Sequence, residues 1–150
     1  MLNKFTVRRK EVNMLDERQT KALTDELANI VHMRNALQGD YEKAEHAYDR
    51  ARKNNASIDE LKALDERMSL EWDGYERYDD KLHANVQLLR RVFGIDVQWK
   101  ENAYGYISEI IIDITPHIGD RVTVEIPLQG WIRRMLDKEQ ERVYKKYFEV

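Results

Sequence analysis

Four histidines, His32, His46, His83 and His117, are the side chains of this 150-residue chain best suited to moving protons or holding a metal near neutral pH. Two of them follow an acid by one helical turn, as Glu42–His46 and Asp79–His83. A metal ion needs three or four converging donors, and the helix register derived below sets His46 far from His83. No metal site is expected. There is no cysteine, which excludes disulfides, thiol catalysis and cysteine-held zinc or iron–sulfur centres. The paired carboxylates Asp59-Glu60 and Asp79-Asp80 are sequence neighbours, and on a helix neighbours point apart. No glycine-rich phosphate loop, HExxH or GxSxG motif occurs. The chain reads as a non-enzyme with no catalytic residue and no cofactor, and loss of any single histidine should leave its function intact.

Charge suggests a second chemistry. Arg8, Arg9 and Lys10 form one basic cluster, and Arg133, Arg134, Lys145 and Lys146, with Lys138 and Arg142, decorate the last segment. Brought together, they would make a phosphate-binding patch. Asp137, Glu139, Glu141 and Glu149 dilute it, and the formal net charge is −3. Nucleic-acid association through the two ends is therefore the alternative reading. Between Asp16 and Asp80 the balance reverses, with acids clearly in excess, which suits a basic partner surface.

These residues sit on elements that spacing defines. Apolar residues make up 42% of the chain and charged residues 35%, a proportion that favours long solvated helices. From Leu23, the positions Leu27, Ile30, Leu37, Tyr41, Ala44, Tyr48 and Ala51 step by three and four, with a break at Arg34. Leu61, Met68, Trp72, Tyr75, Leu82, Val86, Leu89 and Phe93 repeat the pattern, with breaks at Asp65 and Asp79. Both are heptad seams. Asn54-Asn55-Ala56-Ser57 lies between them. Asn tolerates the left-handed conformation that ends a helix, and Ser57 with Glu60 has the spacing of a capping box. So short a link makes the helices antiparallel neighbours.

Facing residues in such a hairpin have residue numbers of nearly constant total. Leu23 with Leu89, Ile30 with Leu82, Ala44 with Met68 and Ala51 with Leu61 share one total. Leu27 with Val86 and Tyr41 with Trp72 share the next. So do the seam breaks, which face Arg34 to Asp79 and Tyr48 to Asp65. These four are read as structural pairs that set register, since a charged pair in a seam adds little net stability. Gly39 and Gly74 also fall at one height, as a bend or a close approach would require.

After Gly94 the period changes to two. Ile95, Val97 and Trp99 alternate with polar residues, Tyr104–Thr115 is rich in isoleucine, and Val122, Val124 and Ile126 alternate again. Thr115–Asp120 reads as the turn between the last two. From Leu128, the positions Trp131, Ile132, Met135, Leu136, Val143 and Tyr147 suit an amphipathic helix. The expected fold class is α+β: a long antiparallel helical hairpin (coiled coil), then a small antiparallel β-meander and a C-terminal amphipathic helix. Its parts are a basic arm over 1–14, the hairpin over 15–93, and the meander with its helix over 94–150. The last part packs on the hairpin root as one domain, against Val31, Ala84, Leu88 and Val92.

No apolar run is long enough to span a membrane. The first residues lack an apolar signal core, and Met14 would serve as an alternative start. With no cysteine, the cytoplasm is the expected compartment. The reading that fits is a protein–protein interaction module whose hairpin projects beyond the sheet and binds through its mid-to-tip surface, with Leu70 and Tyr78 as anchors. Such a chain would suit a phage or mobile-element accessory protein that inhibits a host or defence complex. A homo-oligomeric assembly subunit is a further alternative.

Overall fold

The computed structural model describes residues 14–119, 121–128 and 130–148. Two long helices, α1 (Glu17–Lys53) and α2 (Ile58–Phe93), pack antiparallel. Each is about 55 Å long at 1.5 Å per residue. Their ends are set by side chains. Asp16 accepts from Gln19 N while Gln19 Oε1 accepts from Asp16 N, a reciprocal capping box at a place the sequence reading passed over. Ser57 Oγ accepts from Glu60 N to start α2. Asn55 takes the left-handed conformation in the link (φ 57°), and Gly94 does so at the end of α2 (φ 65°).

The predicted register is met by Arg34 with Asp79 and by Tyr41 with Trp72, while Gly74, expected level with Gly39, meets Leu37. The rings of Tyr41 and Trp72 are 5.0 Å apart. At Gly74 a Cβ would come within 3.2 Å of Leu37 Cδ2. This glycine thus serves the close approach of a facing side chain, not a bend.

Three strands follow, β1 (Asp96–Glu101), β2 (Ile107–Asp113) and β3 (Arg121–Glu125), antiparallel in the order β1-β2-β3. Val97 pairs Ile112, which pairs Val122, and Trp99 pairs Ile110, which pairs Val124. One face of the sheet is therefore apolar. The other carries Gln98–Ile111–Thr123 and Lys100–Glu109–Glu125, the pattern of a one-sided antiparallel sheet. Two boundaries differ from the sequence reading. The strand expected from Tyr104 starts at Ile107, because Asn102 Oδ1 accepts from both Tyr104 N and Tyr106 N and Gly105 is left-handed, folding that stretch into a turn. The turn expected at Thr115–Asp120 contains one helical turn, α3 (Thr115–Ile118), closed by left-handed Gly119. The last helix, α4, spans Gly130–Phe148. The side chains of Trp131, Ile132, Met135, Leu136 and Val143, its expected apolar face, lie outside the described residues.

The core joins hairpin and sheet. Leu27, Ile30, Leu82 and Val86 are buried with Ile95, Val97, Ile107, Ile110, Ile112, Ile114 and Ile126. The sheet is expected on Val31, Ala84, Leu88 and Val92. Val31 is fully buried, but Ala84, Leu88 and Val92 are exposed. The sheet approaches the other flank of α2, where the His83 ring meets Trp99 edge-on at 5.3 Å. Among the described residues, the buried positions of α2 are Leu82, Val86 and Leu89, all near the root. Toward the tip, among the described residues, each helix is covered by the other.

Candidate functional site

Two layers of polar and aromatic side chains lie between the sheet and the tip. The first is a clamp. Arg34 is buried, only 4% exposed. Its Nε donates to Asp79 Oδ1 (2.7 Å), its Nη2 to Tyr75 Oη (3.0 Å), and its Nη1 to Gly105 O (3.3 Å) and to Asn35 Oδ1 (3.4 Å). One guanidinium thus joins α1, α2 and the β1–β2 turn. Asn35 and Gln38 continue the clamp along α1: the Asn35 amide bonds both backbone groups of Ile107, and Gln38 Nε2 donates to Tyr104 O (2.9 Å). One turn on, Glu42 accepts from Tyr106 Oη (2.8 Å). Burial, this bond and the Glu42 charge push the Tyr106 phenol far above its ordinary range. These bonds join α1, α2 and the β1–β2 turn, and among the described residues Gln38 Oε1 is left buried without a partner.

The second layer is open. Tyr41 and Trp72 meet across the seam with their rings tilted by 58°, and Trp72 continues to Tyr75 at 5.2 Å. The Arg34 guanidinium lies over the Tyr75 ring at 5.1 Å. An aromatic ladder therefore runs outward from the buried ion pair and ends on Trp72, which is 41% exposed. There it forms a shallow groove with Tyr41, Asp65, Met68, Ser69 and Asp73. The polar ends of both aromatic residues are already used. Trp72 Nε1 donates to Glu76 (2.8 Å), and the Tyr41 hydroxyl bonds Glu45, which raises its pKa together with burial and the Glu45 charge.

The residues singled out from sequence are distributed as follows. Leu70 is exposed (72%) on the outer side of α2. Tyr78 is not a free outward residue: it is half-buried against the core, with Lys81 Nζ 5.8 Å from its ring centroid. Its place one turn before Leu82 draws it toward the sheet. Tyr48 is half-buried and Asp65 exposed, and among the described residues no hydrogen bond joins them; Asp65 lines the groove instead. Arg8, Arg9 and Lys10 lie outside the described residues. Arg133, Arg134, Lys145 and Lys146 are exposed on α4. Lys145 pairs with Glu141 (3.1 Å), and Lys146 lies over Tyr147, so part of that charge is engaged within its own helix. Among the described residues no three His, Asp or Glu side chains converge as a metal would require.

Two residues carry more than spacing indicated. Trp72 reads as a seam position, yet its indole exceeds what the seam covers. The visible signal is its setting of acids, Asp65, Asp73 and Glu76. His117, in a segment read as a simple turn, ties the hairpin ends together. Its Nδ1 accepts from Leu15 N (3.0 Å) and its Nε2 donates to Phe93 O (2.7 Å).

Comparison with protein-family models, curated proteins and solved structures gives no match.

Proposed function

We propose that this chain is a non-enzymatic protein-interaction module that engages its partner through the hairpin surface beyond the sheet. The observation that carries this reading is Trp72, a large aromatic residue 41% exposed in a groove between two rigid helices. Interface hot spots are enriched in tryptophan and tyrosine held rigidly on a scaffold, because such side chains bury much area at little entropic cost. The clamp and the ladder supply that rigidity. Leu70, exposed on a different face of α2 from Trp72, offers a second, separate contact. Tyr78 serves the core and is no longer placed among the contacts. In its biological form, we propose inhibition of a host or defence complex, the role of a phage or mobile-element accessory protein, to which a short, cysteine-free, highly charged chain is suited. No helix among the described residues is long and apolar enough to cross a membrane, and we propose that the chain acts in the cytoplasm.

The test is affinity capture from the native cell with the full chain, beside Trp72→Leu and Leu70→Ser variants of unchanged helicity. A partner retained by the parent and lost from both variants is the expected result. Equal capture by all three moves the binding surface off the hairpin. Retention on DNA or RNA that declines with salt, and that Arg133→Gln with Arg134→Gln weakens, would favour the nucleic-acid reading.

A further inference from the structure

We infer that the Trp72 groove takes a cationic segment of the partner, an extended peptide that lays an arginine on the indole. This inference rests on the interaction reading above and names the partner's chemistry. The polar ends of both groove aromatics are taken, Trp72 Nε1 by Glu76 and the Tyr41 hydroxyl by Glu45. What remains to a ligand is the π faces, the apolar edge of Met68 and the carboxylates of Asp65 and Asp73. A π face with carboxylates beside it is complementary to a cation, and indole is the best of the side-chain rings for this. Arginine suits it better than lysine, because a planar guanidinium stacks on the ring while its edge still donates to a carboxylate.

Charge supports the same occupant. Asp65, Asp73, Glu45 and Glu76 surround the groove, and among the described residues none of the four forms an ion pair. The salt bridges lie instead at the clamp, the hairpin root, the sheet and the last helix. The groove has no basic lining residue. Two bases, Lys43 and Arg67, act on Asp40, the chain neighbour of Tyr41. Asp65 and Asp73 are eight residues apart on one helix, about 12 Å. An extended strand covers that distance in about four residues, so the segment that fits has basic residues four apart.

The test uses the full chain and a fluorescein-labelled Gly/Ser octapeptide with two arginines four apart. Its citrulline, lysine and glutamate counterparts serve as controls. The expected result is saturable binding of the arginine peptide that weakens with salt and moves the Trp72 indole N–H resonance. The citrulline and glutamate peptides should bind at least tenfold more weakly. Trp72→Leu and the Asp65→Asn/Asp73→Asn pair should each reduce affinity about tenfold while far-ultraviolet circular dichroism stays unchanged. The double substitution lies on exposed positions, so it reports on binding even if the Trp72 variant folds less well. Equal binding of arginine and citrulline peptides, or a Trp72 resonance that does not move at millimolar peptide, overturns the inference. A concentration-dependent dimer that Trp72→Leu dissociates also overturns it, because the groove would then hold a second copy. If the peptide fails but Trp72→Leu still abolishes native capture, the interaction reading stands and the cationic assignment falls.

Discussion

Asn35 bonds Ile107 twice: its Nδ2 donates to Ile107 O at 2.8 Å and its Oδ1 accepts from Ile107 N at 3.1 Å. A side-chain amide on α1 thereby takes the place of a neighbouring strand at the first residue of β2. Both residues are buried, so water cannot replace either bond. This contact decides the height at which the sheet docks on the hairpin.

Asn35→Leu should therefore be among the costliest single substitutions. It leaves a buried N–H and a buried C=O without partners, at about 1–3 kcal/mol each. A loss of about 2–4 kcal/mol is expected, read as a lower urea midpoint with little change in slope. A loss below 1 kcal/mol would show that Ile107 finds other partners.

Arg34 and Asp79 should be non-additive. Asp79→Leu alone leaves a guanidinium that is 5% exposed with only the more distant Glu101 carboxylate, 3.9 Å away, as its counter-charge, whereas replacing Arg34 by Met as well removes the charge. The single variant should melt lower than the double variant, since an unpaired buried charge costs more than a lost pair. Tyr75 Oη and Gly105 O still accept from Arg34 and will soften the difference. A double variant less stable than the single one would contradict the arrangement.

Alkaline pH should loosen the clamp. Burial first, then the Glu42 bond and charge, raise the Tyr106 pKa above its ordinary value of 10.0. Burial likewise raises Tyr75. A tyrosine whose folded pKa exceeds its unfolded one contributes stability that is complete below about pH 10 and declines as pH rises above it. Urea midpoints should be flat from pH 8 to 9 and fall between 10 and 11. Tyr106→Phe should start lower and fall less steeply. Equal slopes in both proteins would remove Tyr106 as the source.

His117 should hold one tautomer. Nδ1 must be the acceptor because Leu15 offers an N–H, and Nε2 must carry the proton because Phe93 offers a carbonyl. Long-range nitrogen-15 correlation spectra should report the Nε2–H form. His117→Phe, which keeps a ring against Phe93 but loses both bonds, should cost about 1–2 kcal/mol and expose Leu15 N to faster hydrogen exchange. Unchanged exchange at Leu15 would show that the bridge is not populated.

Gly74→Ala sets two effects of similar size against each other. Alanine favours a helix interior by about 1 kcal/mol, but its Cβ would meet Leu37 Cδ2 at 3.2 Å. Leu37 is only half-buried and can shift by the few tenths of an ångström required. A small gain, about 0.5 kcal/mol, is expected in thermal unfolding. A loss above 1 kcal/mol would mean that Leu37 is locked.

What the sequence determined by itself is what periodicity and local chemistry govern. The seams from Leu23 to Ala51 and from Leu61 to Phe93, the stop at Asn54-Asn55 and the cap at Ser57 define a hairpin whose register follows from a constant total of residue numbers. The alternation after Gly94 defines a meander, because period two has only two faces to assign. Tertiary structure decided what those rules leave free. Alternation shows that a strand has an apolar face but not which flank of a helix receives it, so Ala84, Leu88 and Val92 were an equally apolar stripe until the polar clamp of Arg34, Asn35 and Gln38 drew the β1–β2 turn to the other side. The same docking drew Tyr78 into the core and left Trp72 beyond the sheet's reach. A seam position is covered only as far as its neighbours extend, and an indole larger than the space between two helices becomes a surface.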